Sequence, residues 1–469
     1  MPHPSPTSES ILHSLQKEPW ILAPELELCV VGSSALRIGC ELEGLPLPPR
    51  PGDVDLAWRL PRDEGAALLA KHGAQATGSA AAAARGTLHV RLCGEHVELT
   101  SFRGGGKSLE ERIREDALRR EATIGALFFQ LANGQLHDPQ GGLADWRHAL
   151  IRACGSPEER LREHPLRAIR YLRRSSELGF DLEPATRQAI RELAVELCPN
   201  IEGAALTVEI RKALLSCPSP GTFLLRLFDE GLLTPLLPEL ASLFQGHSAE
   251  EFEKHPGRSP SLPIILALEE AAELGQGLGL EDADRILLLL SVLCHEIGKR
   301  NSCKDDRPTL PGQERSGGDD IGSLWQRLPG LADKRVRRLC AALTEHHHQL
   351  FRLRNLPATT AACLWEETLQ RLRDSHALIA WVSRCDQAGH MRHAEEKQEI
   401  ANPPPVQAQE LPAAREERIL HELTELDRLM RNVRGNSARK RFGKDLPALR
   451  KHLHGERVRA LQESGFTQA

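Results

Sequence analysis

Aromatic residues are scarce in this chain, and membrane-spanning runs are missing. Phe, Trp and Tyr make up 4% of the 469 residues, and Tyr171 is the single tyrosine. No apolar run approaches the roughly 20 residues that a membrane helix needs. The first residues, MPHPSPTSES, contain no apolar core of a secretory leader. With 40% hydrophobic and 27% charged residues, the composition is typical of a folded domain. We therefore expect a cytoplasmic protein without membrane contact.

Cysteine pairs of the kind that form metal sites or disulfide frameworks are also absent. The eleven cysteines are scattered, and no two of them form a CxxC motif. A chain of this length does not need a disulfide scaffold to build a core. The spacing therefore predicts reduced thiols.

The chain has no strong excess of one charge. Its net charge of −5 does not by itself indicate a nucleic-acid partner. Local basic segments exist, however, since residues 160–174 contain six arginines and residues 431–451 are rich in Arg and Lys. Each segment fits either a phosphate-binding face or a solvated helix surface, and its composition alone does not decide between them.

The pattern of apolar residues predicts an α/β part followed by a helical part. Strand-like runs occupy residues 26–31, 54–60, 87–92 and 96–102, with an alanine-rich helical stretch at 65–84. After Cys154, amphipathic helical segments follow one another, and residues 286–297 read as a core helix. Residues 303–322 read as a polar loop.

Five segments are expected. They are a flexible N-terminus (1–24), an α/β head (25–153), a helical neck (154–250), a further helical domain (251–400), and a linker with a basic helical tail (401–469). We expect the head to contain a mixed β-sheet with helices on one side.

The sharpest local motif is a pair of carboxylates, Asp53 and Asp55, in the predicted second strand. Residues two apart on a strand point to the same side. Carboxylates held that close repel each other unless a cation lies between them. Mg²⁺ suits such oxygen ligands, and phosphoryl transfer uses this arrangement. A solvent-facing acidic strand edge is the alternative.

A glycine turn about twenty residues earlier supports the first interpretation. Gly32, Ser33 and Ser34 directly follow the first predicted strand. A turn of this kind presents backbone N–H groups to phosphates at the start of a helix.

Longer blocks resemble a known family. From Glu115, EDALRREATIGALFF resembles the E-D-x-x-R-R-D-F-T-I-N-A-L block of class II nucleotidyltransferases, which include CCA-adding enzymes and bacterial poly(A) polymerases. LHDPQGGLADW and EHPLRAIRYLRRSSELGF resemble the next segments, D-P-x-x-G-x-x-D-L and E-D-P-L-R through L-G-F. The resemblance covers roughly residues 30–390.

The resemblance implies roles for individual residues. Asp53 and Asp55 would bind the catalytic magnesium. The positions implied to bind the nucleotide are Gly32, Ser33, Ser34, Arg37, Arg119, Arg120, His164, Arg167 and Arg170. Among these, His164 and Arg167 fall where the family reads the incoming base.

The implied activity is addition of CMP and AMP, from CTP and ATP, to a tRNA 3′ end. Poly(A) polymerase activity on another RNA is the alternative enzyme, and a catalytically impaired RNA-binding paralogue is the alternative outside enzymes. Which nucleotides are added and the oligomeric state stay open.

Several motif positions depart from the family pattern. Ile38 replaces an aspartate, Glu121 replaces the aspartate of R-R-D, and Gly125 replaces an asparagine. His164 stands where the family has the base-reading aspartate. Neutral imidazole offers one acceptor and one donor, so we expect altered base selection.

The third part resembles an HD domain, which holds a metal through two histidines and two aspartates. LLLLSVLCHEIGK keeps His295, but Glu296 follows it, Pro263 stands at the upstream histidine, and Asp386 is the remaining candidate ligand. Because this set is incomplete, we expect a structural helical module that supports RNA binding. We expect the run at residues 346–348 to be ordinary surface or core histidines.

Overall fold

The computed structural model describes residues 15, 19–49, 53–77, 86–92, 95–244, 262–297, 315–401, 410–433, 441–442 and 445–467. Its contacts divide the chain into two compact units, Met1–Leu197 and Cys198–Ala469. The boundary falls inside the predicted neck, and the five predicted segments stay a prediction. No helix among the described residues has the length and apolar character to cross a membrane.

The first unit is built on a six-stranded sheet with the order β3-β4-β2-β1-β5-β6. Its strands are β1 (Cys29–Val31), β2 (Val54–Trp58), β3 (Thr87–Leu92), β4 (Glu95–Ser101), β5 (Phe128–Gln130) and β6 (Leu136–His137). Strands β2 and β4 run parallel, and the other neighbours are antiparallel. The sheet is therefore mixed, as predicted.

One face of the sheet is largely apolar. Val54, Leu56 and Trp58 alternate along β2 and are at most 2% exposed. Helix α1 (Gly32–Glu43) packs against β1, β2 and β5, and α2 (Arg62–Lys71) packs against β3. A Cβ on Gly65 would lie 2.3 Å from the Trp58 ring, so α2 approaches the sheet through its glycine.

The other face is only partly covered. Helix α3 (Leu109–Arg119) begins with a capping box in which Ser108 and Glu111 bond each other's backbone N–H groups. Its Ile113 and Ala117 join a buried cluster with Cys29, Val31, Ala57 and Phe128, among others. The remainder of this face carries polar side chains.

Four further helices and a small sheet belong to the described part of the first unit. Strands β7 (Leu150–Ile151) and β8 (Asp181–Leu182) pair in parallel. The helices are α4 (Gly142–Arg147), α5 (Pro157–Glu163), α6 (Arg167–Leu178) and α7 (Pro184–Leu197). Tyr171 in α6 is fully buried, and its hydroxyl donates a hydrogen bond to the Glu121 carbonyl at 2.7 Å.

The described part of the second unit is helical. Its helices are α8 (Gly203–Ser216), α9 (Pro220–Asp229), α10 (Leu233–Leu236), α11 (Pro238–Ala241), α12 (Pro263–Gly277), α13 (Asp282–Cys294), α14 (Arg315–Arg327), α15 (Lys334–Leu350), α16 (Ala358–Glu367), α17 (His376–Ala401), α18 (Pro412–Asn432) and α19 (Leu446–Ser464). Helix α17 packs extensively against α12 and α18. A Cβ on Gly389 would lie 2.4 Å from the Pro263 carbonyl oxygen, so glycine allows α17 and α12 this close approach.

Two local predictions need correction. The predicted loop at 303–322 is helical from Arg315, because Ile321, Leu324 and Trp325 give α14 a buried stripe. The predicted alanine-rich helix at 65–84 ends at Lys71, and Thr77 instead bridges to His89 of β3. Residues 78–84 of that helix, and the linker that begins at Asn402, lie outside the described residues.

Candidate active site

The two predicted metal ligands lie at the start of the central strand β2. Asp53 is exposed and directly precedes the strand, whereas Asp55 is half-buried within it. Asp55 pairs with Val31 of β1 on one side and with Glu98 of β4 on the other. Paired residues of neighbouring strands project from the same face. A third carboxylate therefore lies beside the predicted pair.

The electrostatics of Asp55 reflect this crowding. Burial, followed by the charges of Asp53 and Glu98, raises the pKa of Asp55 to about 6. Arg120 and Arg103 act in the opposite direction. The carboxylate thus lies where negative charge is costly and where a cation would stabilise it.

Glu98 is a site residue that the sequence motifs did not reveal. Its Oε1 is 3.2 Å from Nδ1 of His89, the residue opposite it in β3. Asp53, Glu98 and His89 line a cavity of about 390 Å³ together with Gln75, Thr77, Val90, Arg91, His96 and Val97. The alternation of H-V-E-L in β4 places Glu98 on one face. Only the parallel pairing of β2 with β4 shows that Asp55 is its neighbour.

The glycine turn meets Asp55 directly. Gly32 has φ of +66°, and a Cβ there would lie 3.0 Å from Oδ2 of Asp55. Helix α1 starts at this residue, and no side chain caps its N-terminus. The first N–H groups of an uncapped helix are unsatisfied donors. They therefore form an anion-binding end next to the carboxylate strand.

The two serines of this turn differ in exposure. Ser33 is half-buried, whereas Ser34 is 6% exposed. The Ser34 Oγ is buried and has no hydrogen-bond partner among the described residues. A buried hydroxyl normally has a partner, so this group is an unsatisfied polar group at the start of the helix.

Arg37 and Ile38 are oriented differently from the serines. Arg37 Nη1 donates to the Pro48 carbonyl oxygen at 2.8 Å, and its Nε is 3.3 Å from Oε1 of Glu41. Its guanidinium is therefore held by protein groups. Ile38 is 4% exposed and belongs to the core. The change from aspartate at this position is thus accommodated by burial.

Arg120 lies on the same face of the sheet as Asp55. Its guanidinium is 4.7 Å from the ring centroid of Phe128. Phe128 pairs with Val31, and Val31 pairs with Asp55, so these side chains share one face of the sheet. Asp116, only 1% exposed, holds it through a contact of 3.2 Å between Nε and Oδ1. Ion pairing and ring stacking together fix the orientation of this arginine.

The neighbouring Arg119 contributes its backbone to the cluster. Its side chain is exposed, while its carbonyl oxygen accepts hydrogen bonds from Arg103 Nη1 and Arg167 Nη2, both at 3.4 Å. Arg103, which the motif comparison overlooked, follows β4 by two residues and lowers the pKa of Asp55. Its position at the end of a strand-like run was the available sequence signal.

The two predicted base-reading residues, His164 and Arg167, differ in burial and in their contacts. Arg167 is 8% exposed, and its Nη1 donates to the Arg160 carbonyl at 2.9 Å and to Oε2 of Glu163 at 3.0 Å. The side chain of His164, at the end of α5, is exposed and enters none of these contacts. Arg170 pairs with Oε2 of Glu121 at 3.2 Å. Through Arg119 and Glu121, helix α6 is thus attached to the segment that carries Arg120.

In the second unit, the HD-like residues also come together. His295 Nε2 is 3.1 Å from Oε1 of Glu296 and 3.2 Å from Oδ1 of Asp386. Burial lowers the pKa of His295, but hydrogen bonds to Asp386 and Glu296 outweigh burial and raise this pKa to about 9. His347 is a core residue whose Nδ1 donates to the Leu343 carbonyl, whereas residue 348 is exposed.

A mixed sheet with paired carboxylates beside an uncapped helix N-terminus is the arrangement expected of a nucleotidyltransferase head. Comparison with known proteins agrees with this class. Residues 45–152 match the family described as "Poly A polymerase head domain". Residues 179–244 match "Probable RNA and SrmB- binding site of polymerase A". Two regions of the chain therefore match the head and RNA-binding domains of poly(A) polymerases, and the resemblance is confirmed.

Curated relatives are described as multifunctional CCA proteins. The one from Pasteurella multocida strain Pm70 is 32% identical over 249 residues, which are 52% of this chain and 56% of that protein. The one from Stenotrophomonas maltophilia strain K279a is 30% identical over 287 residues, which are 60% of this chain and 66% of that protein. The match thus spans little more than half the length of the Pasteurella relative.

Solved structures show the same fold at low identity. The Bacillus stearothermophilus CCA-adding enzyme in complex with CTP superposes with a TM-score of 0.57 at 22% identity, covering 97% of this chain and 93% of that one. A tRNA nucleotidyltransferase complexed with a primer tRNA and an incoming ATP analogue gives a TM-score of 0.51 at 19% identity. That match covers 84% of this chain and all of the other.

Proposed function

We propose that this protein is a magnesium-dependent nucleotidyltransferase that adds CMP and AMP to the 3′ end of tRNA. The observation that carries the proposal is the contact between the glycine turn and the carboxylate strand, because it joins an anion-binding helix end to a cation-binding carboxylate cluster. A nucleoside triphosphate complexed with Mg²⁺ needs both. The multifunctional CCA proteins among its relatives support the choice of tRNA as acceptor.

The donor set fits magnesium. Asp53, Asp55 and the adjacent Glu98 offer hard oxygen ligands, and their mutual repulsion favours a bound cation. When bound there, Mg²⁺ supplies charge stabilisation for phosphoryl transfer.

The remaining roles follow from the positions of the protein groups. The N–H groups at Gly32 and Ser33 and the free Ser34 hydroxyl bind triphosphate oxygens. Arg120, held by Asp116 and Phe128, faces the same region and stabilises the negative charge that develops there. The RNA 3′ hydroxyl attacks the α-phosphate, the bond to the β-phosphate oxygen breaks, and pyrophosphate leaves.

The order of addition tests this proposal. α-Labelled CTP and ATP are supplied separately and together, with magnesium, to tRNA transcripts that end before the first C, the second C or the A. We expect C, C and A to be added in order, and the Asp53→Ala/Asp55→Ala protein to add nothing. A long A tail on any RNA would instead identify a poly(A) polymerase. Binding of tRNA without any transfer would identify a non-catalytic RNA-binding paralogue.

A further inference from the structure

Three side chains in the second unit converge as metal ligands do. Nε2 of His295 and one carboxylate oxygen each of Glu296 and Asp386 lie within 4.8 Å of one another. Within the described residues, this is the only such group of three or more His, Cys, Asp or Glu side chains. His295 is 1% exposed. Two carboxylates aimed at one shielded point require a positive charge between or beside them.

A guanidinium already supplies positive charge to this cluster. Arg415 of α18 places Nη2 3.1 Å from Oδ2 of Asp386. Its Nε donates to Ser383 Oγ at 2.7 Å, its Nη1 donates to Gln387 Oε1, and its carbon centre lies 5.2 Å from the Phe351 ring centroid. All three guanidinium nitrogens thus have partners. Arginine keeps its charge at any relevant pH.

The histidine is also arranged as a hydrogen-bond donor. His295 Nδ1 is 2.6 Å from the Val292 carbonyl oxygen, which only accepts. Nε2 faces carboxylate oxygens of Glu296 and Asp386, which also accept. A proton on each nitrogen satisfies every one of these contacts, whereas a metal would displace the proton on Nε2.

The metal that the HD resemblance implies therefore does not fit these residues. Asp386 is occupied on its second oxygen, and a fixed positive charge lies beside the ligand atoms. We propose that Arg415 takes the place of a divalent cation in this cluster, so that its guanidinium excludes metal and fastens α18 to α17. The positive charge is contributed by the chain itself, from a helix that follows the three ligand-like residues in sequence.

Metal binding to the full chain tests the proposal. The parent protein carries Asp53→Ala and Asp55→Ala, which remove the expected head site, and Mn²⁺ and then Zn²⁺ are titrated by equilibrium dialysis. We expect no stoichiometric binding to the parent. Arg415→Met keeps the apolar stem and removes the charge, and we expect it to gain one site, with affinity at least roughly tenfold higher.

Three variants make the result specific. Arg415→Lys keeps the positive charge and should not gain the site. Arg418→Met removes a neighbouring arginine of α18 that pairs with Glu410 and Glu422 rather than with Asp386, and it should behave as the parent does. Adding Asp386→Asn to Arg415→Met should abolish the gained site.

Either of two results would overturn the proposal. One equivalent of metal on the parent protein, removable by Asp386→Asn, would make the cluster a metal site in the presence of Arg415. A folded Arg415→Met protein that gains no metal would mean that the Arg415 guanidinium does not take the place of a divalent metal ion. If that variant does not fold, Arg415→Gln keeps hydrogen-bond donors without charge and gives the same comparison.

Discussion

Gly32 and Asp55 are fitted to each other, since a Cβ on residue 32 would lie 3.0 Å from the Asp55 Oδ2. The same residue has φ of +66°, a conformation that strains any L side chain. The position thus combines a backbone requirement with close approach to a proposed metal ligand.

Gly32→Ala should abolish transfer while the protein stays folded. Gly44→Ala is the matched control, because Gly44 ends the same helix with φ of +65° and has open space around its Cβ. Both changes should lower the free energy of unfolding by about 1 kcal/mol, because alanine is strained at a positive φ. Only Gly32→Ala should displace the Asp55 carboxylate. Denaturant unfolding and label transfer measure the two effects, and equal activity of the two variants would contradict the fit.

The raised pKa of Asp55 predicts a pH-dependent affinity for magnesium. Below about pH 6 the metal-free carboxyl is protonated and must lose its proton on binding, so the apparent affinity should fall as pH drops. Because the folded-state pKa is raised, metal-free stability should decline as pH rises through this value. Mn²⁺ titrations between pH 5 and 8 measure the midpoint.

Glu98→Gln removes one of the charges that raise the pKa of Asp55. The midpoint of the Mn²⁺ titration should therefore move to lower pH. Glu163→Gln, at the end of helix α5, is a control that should leave it unchanged. An unchanged midpoint in Glu98→Gln would mean that the paired register of β2 and β4 does not couple these carboxylates.

Asp116→Asn should weaken nucleotide binding by freeing Arg120. The ion pair is buried, and its loss should cost about 2 kcal/mol of stability. The KM for CTP should rise about tenfold, with a smaller fall in kcat, if Arg120 contributes to binding. Asp145→Asn breaks a buried hydrogen bond with Thr123 and a partly exposed ion pair with Arg152, and it serves as the control. Asp145→Asn should be destabilised with an unchanged KM.

His164→Asp should sharpen discrimination among nucleotides. An exposed aspartate at the end of α5 offers a charged acceptor for the exocyclic amine of an incoming base. The ratio of kcat/KM for CTP over UTP should rise about tenfold. His164→Asn, which offers a neutral acceptor, should give a smaller rise. The same ratio in all three proteins would show that residue 164 does not read the base.

Much of this molecule follows from its sequence. Alternating apolar residues located β2, β3 and β4 to within one or two residues, because burial on one face imposes a period of two. The motif blocks predicted the family and the sheet class. The spacing of Asp53 and Asp55 gave the carboxylate pair, because two residues on a strand share a side whatever the rest of the fold does.

Only the tertiary structure brought in the remaining residues. Glu98 lies beside Asp55 because β2 and β4 run parallel and pair these two residues, which are 43 positions apart in sequence; no local pattern encodes this pairing. Arg120 is oriented by its contacts with Phe128 and Asp116. Arg37 instead donates a hydrogen bond to the Pro48 carbonyl oxygen. Arg415 pairs with Asp386 because α18 packs on α17. The sequence thus determined which chemical groups the chain carries and the short-range geometry of the strands, and long-range packing decided which charges meet.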